Sequence, residues 1–210
     1  MKSWYVADFE TTDINYYKKN GYTKVWLYAI CDENGVIVNW GKSIDEFMNW
    51  LHNNPKIDIY FHNLKFDGSF ILNYLLNNKF EYKDRLKVKD NKGFSTLIGE
   101  EGQYYQIKIN FARNKQITIY DSLKIMPLKV KELAKVFNME FQKGEIDYSD
   151  YTINDTTLEY VFNDVRIVAK ALKYFKDKGF NKMTIGSNSY NLFKSTVKYY
   201  DQLFPSLDKE

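Results

Sequence analysis

A single cysteine in 210 residues leaves Cys31 without a partner for an intrachain disulfide, and no cysteine-based zinc site can be assembled around it. A reducing, intracellular compartment is the simplest expectation. Long apolar runs are missing too: nowhere do about eighteen apolar residues follow one another, so no membrane-spanning helix is encoded. The start, Met1-Lys2-Ser3-Trp4-Tyr5-Val6-Ala7-Asp8, meets an acid before the apolar core of a signal peptide could form. There is no excess charge of one sign. Thirty Lys and Arg against 27 Asp and Glu give +3, so any electrostatic steering must come from local clusters. Repeats and low-complexity tracts are absent, as are a phosphate-cradling glycine-rich loop and a Ser/His/Asp nucleophilic arrangement.

What is present is a chain long enough for one well-buried domain over residues 1–210, with 44% hydrophobic residues. Aromatics make up 18%, including 18 tyrosines. Aromatic faces are what unpaired bases stack on, and they also fill β-rich cores.

Residues 4–9 and 24–31 read as strands, with a turn at Glu33-Asn34-Gly35 before a third strand from Val36 to Trp40. Ser43 looks like a helix N-cap, Glu46 its capping-box partner, and Phe47, Trp50 and Leu51 one apolar face. Ile57 to Phe61 is a short strand running into Asn63-Leu64-Lys65-Phe66-Asp67, after which Ile71, Leu72, Leu75 and Leu76 continue a helix. Residues 94–98, 104–111 and 116–120 suggest a small antiparallel meander inserted before Asp121-Ser122. Leu128, Leu133, Ala134 and Phe137 mark a helix, a second begins at Asn154-Asp155, and residues 182–200 suggest a third. The asparagine- and tyrosine-rich segment 13–23 matches no motif. Strands alternating with helices, plus an antiparallel element, predict an α/β fold with a mixed sheet.

Three acidic islands carry the chemistry. On a strand, Asp8 and Glu10 point the same way with Phe9 behind them. Two carboxylates on one face suit Mg²⁺ or Mn²⁺, although solvated strands carry the same pattern. Asp67 follows the strand end at Phe61, where a strand-to-helix connection places a carboxylate at the carboxyl edge of a sheet, and Asn63 lies in the same turn. Helix capping explains Asn63 and Asp67 equally well. Tyr160 and Asp164 share a helix face one turn apart, beside the apolar flank of Val161, Val165 and Val168. A core tyrosine with a surface acid would look the same. His52 reads as a surface or cap residue, and His62 as a structural hydrogen-bonding group.

Jointly, Asp8-Phe9-Glu10-Thr11, Asn63-Leu64-Lys65-Phe66-Asp67 and Tyr160-Val161-Phe162-Asn163-Asp164 resemble the three motifs of the 3′→5′ exonuclease domain of family B DNA polymerases, in the tyrosine subclass of the DEDD nucleases. The stretches 60–68, Tyr120-Asp121-Ser122-Leu123-Lys124 and Lys143-Gly144-Glu145-Ile146-Asp147-Tyr148 narrow the resemblance to protein-primed, phi29-like phage polymerases. It covers essentially the whole chain.

The resemblance implies an RNase H-like exonuclease fold with a mixed central sheet flanked by helices. It implies two divalent ions, Mg²⁺ or Mn²⁺, held by Asp8, Glu10, Asp67 and Asp164, with Tyr160 orienting the attacking water and Lys143 lending positive charge near the scissile phosphate. Thr11, Asn63, Phe66, Ser122, Leu123 and Tyr148 match positions that hold the 3′ end of single-stranded DNA. Proofreading is the implied task, in the host-cell cytoplasm if the chain is phage-encoded, by a monomer with no membrane association. In a parent polymerase the partners would be the polymerisation domain and a terminal priming protein. Palm, fingers and thumb are not in these 210 residues, so polymerisation is not expected of them. A 3′ trimming nuclease acting on RNA, and a non-catalytic module binding a single strand or the priming protein, are the alternatives.

Overall fold

The computed structural model describes residues 3–140, 147 and 149–204. Eight strands form one sheet in the order β3-β2-β1-β4-β8-β7-β6-β5. At its centre β1 (Trp4–Thr11), β4 (Asp58–Phe61) and β8 (Gln116–Asp121) run parallel. On one side β2 (Val25–Asp32) and β3 (Ile37–Gly41) continue antiparallel. On the other, β7 (Tyr104–Asn110) and β6 (Gly93–Ile98) do the same, and the two-residue β5 (Glu81–Tyr82) closes the edge. The expected meander is therefore present. Because β8 pairs with β4, it extends the central sheet rather than standing apart.

Strand alternation divides the core. Val6, Leu27, Ala29 and Cys31 face α4 (Val130–Val136) and α5 (Asp155–Asp177), packing with Leu133, Val161, Val165 and Leu172. Ala7, Phe9, Tyr28 and Ile30 face the opposite layer, where α2 (Ile44–Asn53) and α3 (Leu64–Asn77) supply Phe47, Leu51, Leu64, Ile71 and Leu75. Buried on both faces, β2 reads as a nearly continuous apolar run.

Local chemistry sets the element ends. Ser43 Oγ accepts from Glu46 N at 3.2 Å, as a cap should, but Glu46 Oε2 accepts from Lys42 N at 2.9 Å, one residue earlier than a reciprocal box requires. Asn154 and Thr157 cap the 23-residue α5 reciprocally. Segment 13–23 contains α1 (Ile14–Asn20), opened by Asp13 accepting from Tyr16 N and closed by left-handed Gly21. Leu128 precedes α4 rather than lying in it. The helix expected over 182–200 is two, α6 (Ile185–Thr196) and α7 (Tyr200–Leu203): the chain leaves the first at Val197, whose backbone is extended, and enters the second through left-handed Tyr199.

Candidate active site at the carboxyl edge of the sheet

β1, β4 and β8 all end at the same edge, and the acids gather there. Asp8 and Glu10 sit on the α5-facing side of β1, with the register irregular between Glu10 and Thr11. α5 crosses this strand and brings Asp164 to it, so that Asp8 and Asp164 line one pocket of about 120 Å³ together with His62, Val130, Val165 and Val168. Asp67 lies in the first turn of α3. The helix N-terminus favours its anion.

Glu10, Asp67 and Asp164 are 7%, 3% and 3% exposed, a degree of burial that carboxylates rarely reach uncompensated. Burial first, then the negative charges of Asp8 and Glu10, push the Asp67 carboxyl well above the ordinary carboxylate range. Its Oδ1 is buried and has no hydrogen-bond partner among the described residues. A buried acceptor facing other acids is what a hard cation would satisfy, so the donor set fits a divalent ion. Among the described residues, however, no three His, Cys, Asp or Glu side chains stand close enough to form a ligand cage as they are.

Tyr160 is 4% exposed, one helical turn before Asp164 and packed in the same core as Val161 and Val165. Asn63 is exposed and left-handed at φ 78°, with no side-chain cap for α3. Phe66 is 51% exposed on the first turn of that helix, free to meet a ligand. Thr11 and Leu123 are half-buried, while Ser122 is fully buried and its Oγ donates to Phe61 O at 3.0 Å. Lys143 and Tyr148 lie outside the described residues. His62 is structural, as its position indicated: Nε2 donates to Leu128 O at 2.7 Å and Nδ1 pairs with Ser122 Oγ at 2.9 Å.

Asp121 stands outside the three acidic islands, yet it holds the edge together. From the end of β8 its Oδ1 accepts from Asn63 N and Leu123 N, both at 3.0 Å, and Leu64 N also bonds to the carboxylate. One buried carboxylate thus caps α3 from across the sheet and fixes the turn carrying Ser122 and Leu123. Burial raises its own pKa, against those amide bonds, which lower it. An acid directly before Ser at the end of an apolar strand was the available turn signal.

Known proteins are similar to this chain in sequence and fold. A family described as DNA polymerase type B, organellar and viral, matches residues 49–151. The DNA polymerases of Bacillus phage B103 and Bacillus phage phi29 are 37% and 38% identical over 230 and 226 residues, covering all of this chain. The chain spans 38% of the length of each. A solved structure of phi29 DNA polymerase complexed with single-stranded DNA superposes with a TM-score of 0.84 at 35% identity, over 99% of this chain and 37% of that one. The mixed sheet flanked by helices is the RNase H-like exonuclease fold of that polymerase. With the acid-bearing edge built on that fold and identity running the full length of the chain, this chain is similar throughout to the phi29-like family B DNA polymerases.

Proposed function

We propose that the chain is a 3′→5′ exonuclease domain that removes nucleotides from the 3′ end of single-stranded DNA. The observation that carries this reading is Asp67, whose buried Oδ1 is unsatisfied among the described residues and whose carboxyl is pushed up by burial and then by Asp8 and Glu10, at the edge where Asp164 also arrives. Such an arrangement costs stability in isolation and is relieved by cations.

Asp8, Glu10, Asp67 and Asp164 would hold two divalent ions, Mg²⁺ or Mn²⁺. When bound, these ions supply activation of water and neutralise charge developing on the phosphate and the leaving oxygen. The remaining work falls to the chain. Tyr160 directs its phenol toward the attacking water, which is aligned in line with the bond to be broken. Water oxygen bonds to phosphorus, the bond from phosphorus to the penultimate 3′ oxygen breaks, that oxygen takes a proton, and the terminal nucleotide leaves as a 5′-monophosphate. Lys143 contributes positive charge to the phosphate. Phe66 and Leu123 wedge or stack against terminal bases, and Asn63, Thr11 and Tyr148 hold sugar and phosphate, while the Ser122 hydroxyl is taken up by Phe61 O and His62 Nδ1. In a whole polymerase this chemistry is proofreading, with the polymerisation domain and a priming protein as partners.

The solved phi29 DNA polymerase complexed with single-stranded DNA supports DNA as the ligand. Matched DNA and RNA oligonucleotides labelled at the 3′ end test it: labelled 5′-mononucleotide is expected from DNA. Faster release from RNA would replace this reading with an RNA-trimming one, and no release from either would reject both.

A further inference from the structure

Charge is not spread evenly over this chain. Residues 79–92 and 113–115 hold eight Lys or Arg against three Asp or Glu, a local +5 in a chain whose total is +3, so the remainder carries −2. Two of the three local acids, Glu81 and Asp90, turn onto Lys83 at 3.3 and 3.9 Å, while Lys79, Arg85, Lys87, Lys89, Lys92 and Arg113 are exposed. The two segments form one surface. Asn110 Nδ2 donates to Lys87 O at 2.6 Å and Asp90 O at 3.1 Å, and Asn114 N donates to Val88 O at 2.9 Å, pinning the loop before β6 to the β7–β8 turn.

Beside this surface lies a groove of about 340 Å³. His52 stacks on Phe111 at 5.3 Å and 17°, Phe80 meets Phe111 edge-on at 5.7 Å, and Lys92 Nζ stands 5.6 Å over the Phe80 ring. Asn49 and Asn78 add amides able to bond base edges, and no carboxylate lines it. The backbone holds cations here against its own preference. Of the seven described non-glycine residues with positive φ, Lys56, Lys79, Lys92 and Asn114 cluster at this end. Lys79 closes α3, with Phe80 N bonded to Leu75 O, at a position that glycine usually fills.

We propose that this end of the molecule is a second binding surface for single-stranded nucleic acid, with one base in the His52–Phe80–Phe111 groove and the phosphodiester backbone tracked by the surrounding lysines and arginines. It deepens, and rests on, the reading of the chain as a single-strand nuclease. Stackable faces with unpaired cations and no acid in the groove are complementary to a nucleic-acid strand. β8 runs from Gln116 beside this surface to Asp121 beside the acids, a separation of about 17 Å along the strand. A strand must therefore be several nucleotides long to engage both, and short substrates should not sense the basic end.

The test uses the full chain carrying Asp8→Ala and Asp67→Ala, without divalent ions, so that binding is read whether or not the protein cleaves. Fluorescence anisotropy compares a 5′-fluorescein single strand of about 20 nucleotides with a labelled trinucleotide, with and without Lys79→Glu, Lys92→Glu and Arg113→Glu together. All three side chains are exposed, and an unchanged thermal midpoint verifies folding. The triple variant is expected to bind the long strand about tenfold more weakly or worse, with the slope of log K against log salt shallower by about 2, and to bind the trinucleotide as before. His52→Ala should weaken the long strand about fivefold. Unchanged long-strand affinity and slope in the triple variant would overturn the proposal. So would loss of polyglutamate binding with oligonucleotide binding intact, which would assign the surface to an acidic protein. Failure of the wild type to trim any strand is a separate result, which rejects the proposed reaction.

Discussion

Replacing Asp121 with Ala should damage stability and turnover together, because one carboxylate organises both α3 and the turn after β8. The side chain is 2% exposed, and its Oδ1 accepts from Asn63 N and Leu123 N at 3.0 Å. Hydrogen bonds to a charged acceptor contribute about 1.5–3 kcal/mol each, and an amide left unsatisfied costs about 1–3 kcal/mol. Two such losses, offset in part by removing a carboxylate whose burial is itself unfavourable, predict about 3 kcal/mol lost from Asp121→Ala. Asp121→Asn keeps an acceptor oxygen of the same shape and should lose only about 1 kcal/mol. Urea unfolding with m unchanged measures both. Release of Asn63 also loosens the turn that places Asp67, and a displacement of about 1 Å is enough to lower turnover about 100-fold. An Ala variant within about 0.5 kcal/mol of wild type, the range of ordinary surface substitutions, would refute Asp121 as the organiser of this edge.

Three further outcomes follow from the same geometry. Because the Asp67 carboxyl is raised, the folded chain holds a proton that the unfolded chain has released, so stability falls as pH rises from about 4 through the raised value. In chelator at neutral pH, Asp67→Asn should therefore raise the thermal midpoint and flatten its pH dependence, partially because raised Asp121 contributes the same sign of slope. Added Mn²⁺ should stabilise the wild type and not this variant, by about 2.7 kcal/mol at 100 times Kd; a variant less stable than wild type in chelator would contradict the account of Asp67. Tyr160→Phe removes only a hydroxyl, so excision should slow while single-strand affinity measured without metal stays within twofold of wild type, about 0.4 kcal/mol; weakened binding with normal turnover of bound strand would exclude the assigned role. Cys31 is fully buried and burial pushes its thiol up to about 12, so a thiol reagent at pH 8 should label it only after unfolding. Rapid labelling of the native chain would show that the α5-facing core is open.

Much of this was legible where the signal was local. The apolar run of β2, the Ser43 cap, the Asn154 start of α5 and the Tyr160-to-Asp164 spacing each rest on neighbours within a turn, and each appears where expected. α1 escaped because none of its residues is buried, so it carries no apolar stripe, and Asp13 and Gly21 were its only marks. The break before α7 escaped because the extended backbone of Val197 and the left-handed one of Tyr199 are not announced by the identity of either residue. Sheet order was beyond reach, since the pairing of β8 with β4 joins segments about sixty residues apart and nothing local encodes it. That same long-range pairing hid the role of Asp121: its partners at Asn63 and Leu64 become neighbours only once the parallel core has formed. The acids themselves were legible as residue types, whereas the burial that perturbs Asp67 belongs to the packed fold.

The most direct measurement is the fate of a 5′-labelled single-stranded DNA incubated with the chain in Mg²⁺ or Mn²⁺, beside the same chain carrying Asp8→Ala and Asp67→Ala. Stepwise shortening from the 3′ end by the wild type, absent in the variant and in chelator, is the predicted result. Equal degradation by both proteins, or none by either, would contradict the claim that these acids form a metal-dependent exonuclease site.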